Sequence, residues 1–312
     1  MNDIEFKQIM NKKRNEFLKY GQECGFINKS NAKRVKERLE RIAFVQDNTI
    51  PGDAHTKMDS DTTIITINMN RTFSNKEWFT DEVLFHEFTH SVSGLCENEF
   101  QTYYSWFIDK NIQKFMTEQE KEEFKVYSKE RPFEFAAGYG VALLDDFVAQ
   151  YMSQSMVEKK YENDPRYKSG IYQRKPQRRN YCPEFDFYSN FNDYSIYEGF
   201  GKKFIKALYG KEDVQRFCIE SMHPDIVDNI ILNYRNRKGG IESIYKLFTY
   251  LGTINFAENA ELNHFSEGTL KQDPNRVTRN PDEMKIIICR LNGLLNYEID
   301  RAEVMNKIGM IH

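Results

Sequence analysis

Between Thr62 and Asn70 the chain reads TTIITINMN, an alternation of β-branched and polar residues that predicts a strand. A shorter apolar run, Arg41–Asp47 (RIAFVQD), predicts a second strand ahead of it. Residues 3–20 and 31–43 carry the charged, amphipathic pattern of helices, the second opening near Ser30 or Asn31. The polar stretch with Pro51-Gly52 that separates the two strands reads as a loop. After the alternating strand comes a helix that runs to about Leu95. Ser74-x-x-Glu77 offers it a capping box, Thr80 is a second possible N-cap, and Gly94 sits where it could end.

Helical patterning continues over residues 98–128 and 132–158, then the character changes. From Lys159 to Asp193 the chain is rich in Tyr, Arg, Lys, Asn and Pro with little periodicity, and reads as a long ordered loop or insertion shaping a cleft. Helices resume at Tyr194–Leu208, continue in segments to Leu251, and return at Pro281–Leu295, with a polar, irregular stretch over 252–280. The expected class is α+β: a small N-terminal mixed sheet, followed by a mainly helical lobe. One unit spanning 1–312 is expected, with an N-terminal lobe over 1–95 and the helical lobe over 96–312.

Composition narrows the function classes. A net charge of −3 on 312 residues gives no support to a nucleic-acid binder or a membrane-surface protein. The basic run Tyr172–Asn180 (YQRKPQRRN) could contact nucleic acid or an acidic substrate, but as one local patch on a slightly acidic chain it reads better as a solvated loop. No apolar run is long enough to span a membrane. The opening MNDIEFKQIMNKKRNEF has no apolar core of a Sec-type signal peptide. The five cysteines (Cys24, Cys96, Cys182, Cys218, Cys289) are odd in number and include no C-x-x-C pair, the pattern of reduced thiols rather than a disulfide framework or a cysteine zinc site. The expected compartment is the cytoplasm.

One motif carries chemistry. The segment DEVLFHEFTHSVSG contains His86-Glu87-Phe88-Thr89-His90. On a helix, positions i and i+4 share a face one turn apart, so two imidazoles can grip one ion. Zinc suits such a pair, accepting neutral imidazole nitrogen and keeping a fourth position open. Glu87, beside the first histidine, is placed to take a proton from the activated water and hand it on. The three fixed positions recur by chance in about one chain of this length in a hundred. Here the context is right, because the motif lies in an apolar helix with Val83, Leu84, Phe85 and Val92 around it.

Two histidines leave a catalytic zinc short of a third protein ligand. After His90 the chain runs SVSGLCENEF, with no further histidine close by, and His223, His264 and His312 lie in no recognisable ligand context. A carboxylate is the better candidate, and Glu97, Glu99, Glu134, Asp145, Asp146 and Glu198 compete. The pair in GVALLDDFVAQYMSQ stands out, since two acids amid Leu143, Leu144, Phe147 and Val148 need compensation. Asp145 could instead cap, face solvent, or orient His86 or His90 through the other ring nitrogen.

The strand TTIITINMN, a short linker and the HEFTH helix together resemble the zincin metallopeptidases. The resemblance is specific at His86, Glu87 and His90, rests on element order over about 40–210, and does not reach the C-terminal hundred residues. It implies that the strand is a sheet edge pairing with extended substrate above one catalytic Zn2+. Gluzincin-like members carry a stretch similar to L-D-E-x whose third residue is the ligand, and Asp146 occupies that place with aspartate for glutamate. The resemblance also implies an oxyanion donor, for which YSNFNDYSIYEGF supplies Tyr197, with Tyr194 and Tyr188 nearby.

The expectation is therefore a zinc metallohydrolase whose resemblance implies a peptidase, with a peptide or protein as substrate and with no nucleic-acid or membrane partner. Two other readings stay open. One is a zincin-fold protein of altered activity serving as a binding or toxin-associated module; the other is a helical protein in which HEFTH is coincidental. Neither substrate specificity nor oligomeric state is legible.

Overall fold

Three short strands form a mixed sheet around the alternating segment. In the structure, a computed structural model, they are β1 (Ile42–Gln46), β2 (Ala54–Asp59) and β3 (Thr62–Ile67), ordered β1-β3-β2. The residues described are 2–50, 52–59, 62–73, 76–95, 137–168, 181–182, 187–188, 195–235, 237, 240, 243–244, 246–248, 250–252 and 281–307. On β3 the alternation becomes burial: Thr63, Ile65 and Ile67 are buried while Thr62 is exposed. β1 pairs parallel to β3, Ile42 opposite Thr63, and β2 pairs antiparallel on the other side, Thr56 opposite Ile65.

This sheet corrects two expectations. β3 is central, not an edge, because β1 and β2 occupy both its sides. It also ends at Ile67 rather than Asn70, since Asn68 caps a one-turn helix α3 (Met69–Thr72) by accepting from the Arg71 amide. The segment read as a polar loop holds β2, whose polar residues suit a strand with one face toward solvent. Parallel pairing of β1 and β3 requires a crossover, and β2 lies within it. Asn68 ties that crossover down: its side chain donates to Asn48 O and Ile50 O at 3.3 and 3.0 Å, and its amide to Asp53 O at 2.9 Å.

By contact the chain divides into two compact units, one of Met1–Glu99, Asp145–Lys175 and Gln215–Pro224, the other of Phe100–Leu144, Pro176–Val214 and Asp225–His312. In the first, helices α1 (Asp3–Glu23) and α2 (Ala32–Glu40) accompany the sheet and α4 (Glu77–Val92). α1 opens with a capping box, Asn2 accepting from the Ile4 and Glu5 amides while Glu5 accepts from the Asn2 amide.

Helix α4 is buried on nearly every face, from Trp78 to Val92. Its apolar side is fixed by edge-to-face ring contacts, Phe17 against Phe85 and Phe88 at 5.9 and 5.6 Å, and Phe44 against Phe88 at 6.0 Å. Its N-cap is Lys76, with no side-chain cap bond, and Thr80 lies inside the helix, donating to Thr72 O at 2.8 Å. Thr80 is therefore not the N-cap, and Ser74 lies outside the described residues. The far end stops at Val92, where Arg34 donates to Val92 O at 2.7 Å and Arg38 to Ser91 O at 3.3 Å. Both cations satisfy terminal carbonyls at the negative end of the helix dipole.

The long helix α5 (Ala137–Tyr161) follows, its residues from Asp145 onward belonging to this unit. Asp81, in the second turn of α4, sits fully buried in a cluster near the end of α5. It accepts from Lys13 of α1, from Lys160, and from the Tyr161 hydroxyl at 2.7 Å. Lys160 also donates to Glu16 at 2.7 Å. Burial and the Asp81 charge push the Tyr161 phenol far above its ordinary range, so it stays a donor. Short helices α6 (Pro165–Lys168) and α8 (Val214–Ser221) complete the unit; Gly94 donates its amide to Ser221 O at 2.6 Å.

The second unit holds α7 (Ser195–Tyr209), α9 (Ile226–Arg235), α10 (Pro281–Lys307) and a two-stranded hairpin, β4 (Tyr181–Cys182) with β5 (Phe187–Tyr188). Within it Phe204 stacks on Tyr234 at 6.5 Å and meets Phe248 in a tilted contact at 5.7 Å. Buried Arg237 donates to Ala207 O and Leu208 O at 2.7 and 2.5 Å, capping the last turn of α7. Gly140 packs so closely on Phe248 that a Cβ would lie 2.2 Å from its carbonyl oxygen. The class is α+β, mainly helical with a small mixed sheet. The helix expected over 98–128 and residues 253–280 of the stretch expected to be irregular lie outside the described residues, as does the basic run Tyr172–Asn180.

The Asp81 cluster makes a stability prediction. Asp81→Ala removes the nearest partner of the buried Lys13 ammonium, leaving it Glu16 at 3.4 Å and Glu77 at 3.8 Å, and should destabilise the protein by about 3 kcal/mol, measured by urea unfolding.

Candidate metal centre

The HEFTH residues and the two aspartates of α5 meet where α4 and α5 run antiparallel. Residue pairs fix the direction: Asp81 meets Tyr161, Glu82 meets Gln150, His86 meets Asp146 and His90 meets Asp145. The i, i+4 spacing of His86 and His90 places their rings edge to face, centroids 4.6 Å apart, with the two Nε2 atoms 2.9 Å from each other. Asp146 Oδ1 lies 3.7 Å from His86 Nε2 and 3.4 Å from His90 Nε2. Two imidazole nitrogens and one carboxylate oxygen thus converge on a single point, and His86, His90 and Asp146 could hold a metal ion.

Adjacent residues on a helix point about 100° apart, so Asp145 and Asp146 have different surroundings. The Asp145 side chain is 1% exposed and the Asp146 side chain 27%. Asp145 Oδ2 meets His90 Nδ1. An ionised carboxylate only accepts, so this contact puts the proton on Nδ1 and leaves the Nε2 lone pair directed at the cluster. For Asp146, burial raises the carboxyl, but hydrogen bonds and charge from His86 and His90 in their protonated form outweigh it and hold it well below the usual carboxylate range. A cation at this point would take the place of those protons beside the Asp146 oxygen.

One turn along the seam, Gln150 donates to Glu82 Oε1 at 2.7 Å, both side chains buried. Glu87 is buried beside His86, and its carboxylate reaches β2. Thr56 donates its hydroxyl to Glu87 Oε2 at 2.5 Å, and lies 3.3 Å from Glu87 O. Ser91, one turn on, donates to Glu87 O at 2.9 Å.

No protein-family model, curated protein or solved structure matches this chain. The chemistry of the site has to come from its own geometry.

The structure brings together His86, His90, Asp145 and Asp146, with Glu87 beside them on α4. It leaves His55 exposed on β2, and His223 in the turn after α8, where its amide donates to Glu220 O at 3.0 Å. Glu97, Glu99, Glu134, Tyr194, His264 and His312 lie outside the described residues. Tyr197 and Glu198 fall in the first turn of α7 and Tyr188 in β5, all with side chains outside the described residues. Thr56 is the site residue the sequence reading passed over. A signal was there: in AHTKMD, His55, Lys57 and Asp59 alternate with Ala54, Thr56 and Met58, the period of a strand.

If Asp145 orients His90, Asp145→Ala should weaken metal affinity by about 10- to 100-fold, read by competition with a chromophoric chelator. Unchanged affinity would leave Asp145 no more than a packing residue.

Proposed function

We propose that this chain is a zinc-dependent hydrolase of the zincin type and that it cleaves peptide bonds. The observation that supports it best is the convergence of His86 Nε2, His90 Nε2 and Asp146 Oδ1, with Glu87 adjacent. Ligand atoms about 2.0–2.1 Å from a tetrahedral ion lie about 3.3 Å from one another. The three separations here, 2.9, 3.4 and 3.7 Å, bracket that value. The donor set of two imidazoles and a carboxylate matches zinc, and the partial exposure of His90 and Asp146 leaves a side for solvent.

Zinc bound at these residues supplies Lewis-acid polarisation of a carbonyl and acidifies water at neutral pH. His86, His90 and Asp146 hold it, and Asp145 keeps His90 in the tautomer that can. Glu87 serves as general base, accepting one proton from the attacking water, then as general acid, delivering it to the departing amine nitrogen. Water adds across the amide: its oxygen ends on the acyl carbon as the C–N bond breaks, leaving a carboxylic acid and an amine. The oxyanion donor suggested by the resemblance, Tyr197, keeps that role as part of the proposal.

The preference for a peptide rests on the resemblance, in which a strand edge receives extended substrate. With β3 central, that role passes to β2, which among the described residues pairs only with β3 and touches Glu87 through Thr56. An extended peptide beside β2 would lie along the strand nearest the general base.

Purified protein should contain one zinc per chain, measured by elemental analysis, and lose it in His86→Ala and His90→Ala. Asp146→Ala should bind zinc far more weakly. Glu87→Gln should keep the metal and lose hydrolysis of an internally quenched peptide library, a fall of about 100-fold or more in kcat/KM. Absence of zinc from the wild-type protein after zinc exposure would sink the hydrolase reading. Zinc binding without hydrolysis would favour a binding module.

A further inference from the structure

Glu87 is the general base of the proposed mechanism, and its carboxylate is held by a residue outside the metal motif. Thr56 sits within β2, opposite Ile65 of the central strand, and is buried. Its hydroxyl donates to Glu87 Oε2 at 2.5 Å, across the interface between sheet and helix. We infer that Thr56 is a positioning residue that sets the Glu87 carboxylate for proton transfer, an assignment that rests on the hydrolase reading.

Three features favour such a role over simple packing. The first is the donor. An ionised carboxylate only accepts, so the threonine proton must point at it, and a bond to a charged acceptor is about twice as strong as a neutral one. The second is rigidity. Glu87 has three side-chain torsions, whereas Thr56 is β-branched, with a stiff χ1, on a strand held in register by β3. The short residue therefore restrains the long one. The third is lone-pair use. Thr56 engages Oε2, so the restraint leaves Oε1 for the water whose proton is to be taken.

Pairing a general base with a strand hydroxyl also links the site to the sheet. The helix supplies the position of Glu87 along the chain, and β2 supplies its orientation. General-base transfer needs a heavy-atom approach of about 2.6–3.2 Å. A carboxylate free to rotate would spend much of its time outside that window.

The test compares Thr56→Val, which keeps the shape and deletes the donor, with Thr56→Ser, which keeps the donor. Each is made in the full chain loaded with zinc and assayed on the internally quenched peptide library and on fluorescein-labelled casein. Thr56→Val should retain one zinc per chain and lose about 10- to 100-fold in kcat with little change in KM. Thr56→Ser should recover most of that loss. Thermal unfolding gives a readout independent of turnover: Thr56→Val should lower Tm in the wild-type background and have little effect in Glu87→Ala, where no carboxylate is left to pair.

A Thr56→Val variant with wild-type kcat would overturn the assignment, and so would a Thr56→Ser variant as slow as Thr56→Val. Loss of zinc from Thr56→Val would also overturn it, placing Thr56 in metal retention instead. In each of these the wild-type protein hydrolyses the probes, so the hydrolase reading survives. A zinc-loaded wild type that hydrolyses neither probe would overturn both.

Discussion

Burying ionisable groups is the constraint on which the rest of this structure depends. Helix α4 carries Asp81, Glu82, His86 and Glu87 as buried side chains within a few turns of one another. An uncompensated buried charge costs several kcal/mol. Each of these groups must therefore meet a partner from another element. Lys13, Lys160 and Tyr161 answer Asp81; Gln150 answers Glu82; Thr56 answers Glu87; the aspartates of α5 answer the histidines. These partners come from α1, β2 and α5, so the same demand that neutralises α4 also sets which elements surround it.

The two aspartates show how one helix can divide two tasks. Asp145 and Asp146 are neighbours in sequence, yet one is sealed against His90 Nδ1 and the other stands half-open before both Nε2 atoms. The separation follows from the helical screw. It lets an anionic oxygen reach the cluster while a second carboxylate, placed behind a ring, fixes the tautomer that makes the ring useful. Arg34 and Arg38 support the other end of this arrangement, holding the terminal carbonyls of α4 close beyond His90.

Much of the site was legible before any tertiary information. His86, Glu87 and His90 stand out because helix periodicity converts a spacing in sequence into a shared face, a purely local relation. Asp145 and Asp146 stand out because acids in an apolar helix demand a partner. Less was legible in the sheet. β2 was hidden because a strand with polar residues and a preceding Pro-Gly resembles a loop. For β3, the alternation marked a strand but held no information on which neighbours would pair with it.

By itself, the sequence determined the α+β class, the position of the central strand, the face of α4 that carries both histidines and the pair of acids that meet them. These depend on periodicities of two and 3.6 residues, which act within one element. Only the tertiary structure decided that β3 is central, that Asp146 rather than Asp145 faces both Nε2 atoms, and that Thr56 holds Glu87. Each of those depends on the register between elements distant along the chain. Register is chosen by the burial and pairing of many side chains together, and no local pattern encodes it.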